Sequence, residues 1–130
     1  MTRPGTPVAV AQAWQDAVNA QDKDKLLELS HPQIAIIGPR GIARGHEVLR
    51  VWLERAGLQL ETKQVFAGEQ RVVFVQHGVW RSPETGELQG EAEVASSFRI
   101  ENGQVTELAR YDTLTEALAR AGLSEADEWF

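Results

Sequence analysis

Apolar residues recur along the first part of the chain at intervals of three and four, then at intervals of two, and finally at helical spacing again. Val10, Trp14, Ala17 and Val18 share one helical face, and Thr6-Pro7 offers an N-cap with proline at the first helical position. A helix is predicted from about Pro7 to Ala20. Gln21-Asp22 interrupts it, and Asp24, Leu26, Leu27 and Leu29 predict a second, short helix. That helix stops before Ser30-His31-Pro32, because the residue ahead of proline is pushed out of the helical region. Ile34 to Ile37 reads as a strand closed by Gly38-Pro39, and Gly41 and Gly45 punctuate a loop. Val48, Leu49, Trp52, Leu53 and Ala56 then form the stripe of a third helix, with Gly57 after its end.

Strand-like runs follow at Leu58 to Ala67, Arg71 to Arg81 and Glu87 to Ile100. In the second, VVFV is apolar on both faces, as in a strand covered on both sides. Ser82-Pro83-Glu84-Thr85-Gly86 turns the chain into the third. Asn102-Gly103 is the signature of a two-residue hairpin turn. It predicts Ile100 opposite Val105, Phe98 opposite Glu107, Ser96 opposite Ala109 and Val94 opposite Tyr111. That register puts Arg110 and Asp112 on the other, wetter face. A last helix is predicted from Leu114 to Ala121, stopping at Gly122, and Trp129-Phe130 is expected to tuck against the body. Helices first, then a strand, a helix and a long meander, is an α+β order rather than a βαβ order.

Composition narrows the class of function. The 130 residues are 42% apolar and 25% charged, with no cysteine and a net charge of −6. Such a chain buries roughly two-thirds of its unfolded surface in one core, so a single domain over residues 1–130 is expected. Without cysteine there is no disulfide framework, thiol catalysis or cysteine-ligated zinc. Acidic residues spread along the chain argue against a nucleic-acid partner, and no apolar run is long enough to cross a membrane. Met1 to Val8 lacks the apolar region of a secretory signal, so a cytoplasmic protein is expected.

Trp14, HPQIAIIGPRG and GHEVLRVWL (His31 to Gly41, Gly45 to Leu53), VVFVQHGVW (Val72 to Trp80) and NGQVTELARYDTL (Asn102 to Leu114) carry a family resemblance. In this order the chain resembles the nuclear-transport-factor-2-like superfamily, particularly its SnoaL-like bacterial members, over nearly its whole length. The resemblance implies a cystatin-like α+β cone: a curved, mostly antiparallel sheet wrapped around the N-terminal helices, a ligand cavity between them, and a homodimer through the outer sheet face. It does not choose a reaction, since the superfamily holds isomerases, dehydratases, cyclases, epoxide hydrolases and non-catalytic binding domains.

In SnoaL-like cyclases an acidic residue near the end of the last long strand acts as general acid/base, and ARYD makes Asp112 the corresponding candidate. The hairpin register argues instead for an outward Asp112, or for a helix cap beside Thr113, unless a β-bulge shifts the phase. His77 interrupts the stripe Val73, Val75 and Val79 and is a second proton-shuttle candidate, against the commoner role of a satisfied core or interface histidine. Trp14, Trp52, Trp80 and Tyr111 are candidate walls for a small apolar or aromatic ligand, although each alone is more often core. Arg40 and Arg44 flank the Gly-rich loop and could hold a carboxylate or phosphate.

No phosphate-binding glycine motif is present, and His46-Glu47 lacks the second histidine of H-E-x-x-H because Arg50 stands there, so neither a cofactor nor a metal is expected. Ala95-Ser96-Ser97-Phe98 is no nucleophile elbow. Ketosteroid-isomerase-like members carry a base shortly after the helical pair, whereas Ile34 to Gly38 has no carboxylate. The expectation is a small-molecule-binding protein, either an isomerase, cyclase or lyase acting by cofactor-free proton transfer on a cyclic or carbonyl compound, or a non-catalytic binding or dimerisation module.

Overall fold

The computed structural model of the chain describes residues 7–38, 41–82 and 84–128, without the side chains of 55 and 56. The expected cap at Thr6, the place of Pro39, Arg40 and Pro83, the packing of Ala56 and the return of Trp129-Phe130 lie outside the described residues.

Helix α1 (Pro7–Asn19) buries Val10, Ala11, Trp14, Ala17 and Val18, the stripe set by the helical repeat. Helix α2 (Lys23–Glu28) starts at Asp22, whose side chain accepts from the Lys25 N–H at 3.2 Å. Strand β1 (Ser30–Gly38) begins at Ser30 rather than Ile34, because Ser30 already pairs with Val105; the ladder then breaks until Ala35, which accommodates Pro32. A short strand β2 (Gly41–Arg44) occupies part of the expected Gly/Arg loop and pairs antiparallel with β1, Ile37 opposite Ile42. Helix α3 (His46–Ala56) follows Gly45 and ends at Gly57 in the left-handed conformation that glycine adopts without strain.

Strands β3 (Leu58–Ala67), β4 (Arg71–Arg81), β5 (Leu88–Glu101) and β6 (Gln104–Tyr111) form an antiparallel meander. The sheet order is β2-β1-β6-β5-β4-β3, and β1 lies parallel to β6, so the first strand closes onto the last. Helix α4 (Leu114–Ala121) is capped by Thr113, not Asp112: the Thr113 hydroxyl accepts from the Glu116 N–H at 3.2 Å.

The sheet is covered on both faces, as VVFV implied. Val72 and Phe74 face inward, against α1, α2 and α3 with Trp14, Leu26, Leu49, Leu53 and Phe98. Val73 and Val75 face outward and pack with Phe66 and Ala95 under Ala117, Leu118 and Ala121 of α4. This is an α+β fold with a mixed, six-stranded sheet. Asn19 ties α1 to edge strand β3 by bonding both the N–H and the C=O of Leu60 at 2.8 Å.

The hairpin register departs from expectation. Ile100 pairs with Val105, but a bulge follows, and beyond it Arg99 pairs with Glu107, Phe98 with Leu108, Ser97 with Ala109, Ser96 with Arg110 and Ala95 with Tyr111. The extra residue, Thr106, sends both Thr106 and Glu107 outward, and Val105 and Leu108 both reach the inner core. A ladder without the bulge would have set Glu107, a charge, beside Phe98. The bulge instead satisfies burial on both faces.

Candidate functional site

The bulge decides which side chains of β6 look inward. Leu108 packs in the inner cluster and Ala109 faces out, so the next inward position belongs to Arg110, opposite Ser96 on β5. Strand β1 supplies Ile36 opposite Leu108, and Ile37 and Gly38 at its end. Helix α3 brings Leu49 and Trp52 over these strands, because both lie on its apolar stripe. Ile36, Ile37, Gly38, Leu49, Trp52, Leu108 and Arg110 together line a cleft of about 190 Å³. A second hollow of about 210 Å³ shares Ile37, Gly38 and Arg110 and continues past Tyr111, Asp112 and Glu116.

The aromatic wall is rigid. Trp52 stacks on Trp14 with ring centroids 6.1 Å apart at 23°. Trp14 meets Phe98 edge to face at 5.7 Å, and Phe98 meets Phe74 at 5.3 Å. The Trp14 indole N–H donates to the Ser30 hydroxyl at 2.9 Å, and that hydroxyl donates to the Leu26 carbonyl at 2.7 Å. Trp14 is thereby fixed in the core as the backing for Trp52, and it is Trp52 that reaches the cleft.

Behind the cleft runs a buried polar chain. Ser96 donates to Gln76 at 2.6 Å, Gln76 to Gln15 at 2.6 Å, and Gln15 to Thr62 at 2.8 Å. Each amide is satisfied only through its neighbours, which holds α1, β3, β4 and β5 in one arrangement.

Arg110 is different in kind. It is partly buried, and among the described residues its guanidinium has no hydrogen-bond or ion-pair partner. Burial pushes its pKa below the ordinary arginine value, yet an arginine keeps its charge at neutral pH. The site therefore presents a positive group at the end of an apolar cleft, where the local dielectric strengthens its field.

The other sequence candidates are dispersed. Asp112 is exposed and stands beyond the end of β6, on the rim of the outer hollow with Tyr111 and Glu116. Tyr111 faces outward and packs on the cluster beneath α4. His77 lies on the outer sheet face, 40% exposed, with Nε2 3.7 Å from a Glu91 carboxylate oxygen. Trp80 packs on the inner cluster over Gly78, where an added Cβ would come 3.2 Å from the indole ring, and it does not line the cleft. Arg44 sits on β2 and lines a wider, mixed-charge groove of about 410 Å³ with His31, Arg99, Glu101 and Glu107. No group of three or more potential metal ligands occurs among the described residues.

Of the sequence candidates, then, Trp52 reaches the inner cleft and Asp112 and Tyr111 border its outer extension. Arg110, Ile36 and Leu108 were not singled out. A signal for them exists: in Val105-Thr106-Glu107-Leu108 two polar residues separate two apolar ones, a break in the two-residue period that a bulge produces.

Residues 11–108 match the SnoaL-like domain, and the chain belongs to that family within the nuclear-transport-factor-2-like superfamily. Solved structures share the fold. A nuclear-transport-factor-2-like protein from Burkholderia xenovorans LB400 is 25% identical, with 93% of this chain and 98% of that one covered and a TM-score of 0.68. A putative polyketide cyclase from Xanthomonas campestris pv. campestris is 22% identical over 92% and 99%, with a TM-score of 0.68. A Mycobacterium tuberculosis protein in complex with estradiol-17beta-hemisuccinate is 16% identical over 85% and 96%, with a TM-score of 0.73. At these identities the likeness to the last two is one of fold alone. No protein with a curated description matches the sequence.

Proposed function

We propose that this SnoaL-like protein binds a small organic molecule of about one ring, held between Trp52 and the inner face of β1 and β6. The observation that carries the reading is a cleft of about 190 Å³ with walls from Ile36, Leu49, Trp52 and Leu108 and a charged group, Arg110, at one end. An apolar concavity with a single orienting polar group is the usual form of a ligand site. Titration of cyclohexanone against the full chain, followed by NMR of the four tryptophan indoles, tests it. The Trp52 indole N–H is expected to shift saturably while those of Trp14 and Trp80 move little; an unmoved Trp52 contradicts the reading.

A second reading, cofactor-free proton transfer by an isomerase, cyclase or lyase, is favoured by one observation: Asp112 borders the hollow that shares Arg110 with the cleft. In that reading Asp112 removes and returns a proton at the carbon next to a carbonyl, and Arg110 stabilises the enolate oxygen. The expected result is solvent deuterium incorporation into cyclohexanone above background, lost in Asp112→Asn. A rate equal to background leaves a binding module. His77, on the other sheet face, is expected to be dispensable in either case, so His77→Ala should bind cyclohexanone as the native chain does.

We place the protein in the cytoplasm, as a homodimer through the part of the outer sheet face that α4 leaves uncovered. That face carries His77, Glu91 and Glu93 on one side of α4 and Arg99 and Glu107 on the other, and a polar, hydrated interface fits it. Neither nucleic acid nor membrane is part of this reading; no described helix is long and apolar enough to cross a bilayer.

A further inference from the structure

Acidic residues outnumber Lys and Arg by 19 to 13 in this chain, so a partly buried arginine without a counter-ion needs a reason, as the exposed Arg44, Arg81 and Arg120 do not. Arg50 is bonded to Glu47 and Glu54, Arg71 to Glu107 at 3.0 Å, and Arg99 to Glu101 at 3.3 Å. Arg110 has no such partner among the described residues, although Asp112 and Glu116 border the same hollow. No fully buried side-chain nitrogen or oxygen among the described residues lacks a hydrogen bond. The unbonded guanidinium nitrogens therefore look onto open space, and the space in question is the cleft and its extension.

A guanidinium has a flat fork of N–H donors that matches a carboxylate in two parallel hydrogen bonds. The rest of the cleft offers apolar carbon and the Trp52 ring, with no second cation among the residues that line it. We infer that the cleft takes a small cyclic carboxylate, its ring between Trp52 and Ile36 and its carboxylate paired with Arg110. The cleft volume, about 190 Å³, is comparable with the ~150 Å³ apolar cavity that holds a benzene molecule, so it has room for one ring. Burial strips the Arg110 charge of water, and a bound anion offsets that loss where a neutral molecule does not.

This inference rests on the cleft being a ligand site, and the experiment separates the two. Benzoate and its neutral counterpart benzamide are titrated against the full chain at pH 7 and low salt, with the Trp52 indole as the reporter. Benzoate is expected to bind at least about tenfold more tightly than benzamide, as a charge-assisted bidentate pair implies. In Arg110→Gln that advantage should fall to within about twofold, and Arg110→Lys should keep part of it. Equal affinity of the native chain for both probes overturns the carboxylate assignment and leaves the cleft standing. If neither probe moves Trp52, the ligand site itself is refuted. Should Arg110→Gln fail to fold, the comparison of the two probes on the native chain still decides.

Discussion

Arg110 is held in the fold at a cost to it. Its folded-state pKa lies below the ordinary value, so the folded protein binds this proton less tightly than the unfolded chain does. The penalty is complete at neutral pH, where arginine is charged in both states, and fades only as pH rises through the lowered pKa. Arg110→Met keeps the apolar stem and removes the charge, so it is expected to raise the melting temperature of the ligand-free protein by about 2–5 °C. A lower melting temperature would mean that Arg110 has a structural partner. At this scale the sequence was partly legible: Trp52 could be assigned to the apolar stripe of α3 and to a ligand wall, whereas Trp14, also a candidate wall, is buried in the core behind it. Arg110 could not, because a two-residue turn with an unbroken ladder places it on the wet face.

Among the elements, those with a strong period and clear ends were readable. β3, β4 and α4 have the expected limits because Gly57, Gly122 and the alternating runs mark them. β2 was not legible, since Gly41, Ala43 and exposed Ile42 and Arg44 form an edge strand with no buried face to impose a pattern. The buried amide chain was equally hidden: nothing in the sequence marks Gln15 and Gln76 for burial, and they are 2% and 1% exposed. Gln76→Leu would leave the Gln15 amide oxygen and the Ser96 hydroxyl without the partners that Gln76 provides, and about 2–4 kcal/mol of stability should be lost in urea denaturation. Loss of under 1 kcal/mol would show that the chain is not essential to the core. The cap of α4 is a milder test. Thr113→Ala is expected to cost about 1 kcal/mol and loosen the cover over Val73 and Val75.

For the molecule as a whole, the order of helices and strands was enough for the fold and the family, because an α+β cone needs only the right periods in the right sequence. The placement of the site needed the sheet's irregularities. One bulge in the last hairpin turns Arg110 toward the cleft, and the helical pair and α3 close the other side. Assembly belongs to the same scale: light scattering is expected to give about twice the chain mass of 14.4 kDa, and a monomer would remove the dimer through the outer sheet face. In the reading proposed above, the cleft and Arg110 form one site for a small organic anion. A crystal of the native chain soaked in 4-bromobenzoate tests it most directly, since bromine locates the ring by anomalous scattering. The ring is expected against Trp52 with the carboxylate in hydrogen-bond contact with Arg110; bromine in the outer groove beside Arg44 and Arg99, or none bound, would contradict it.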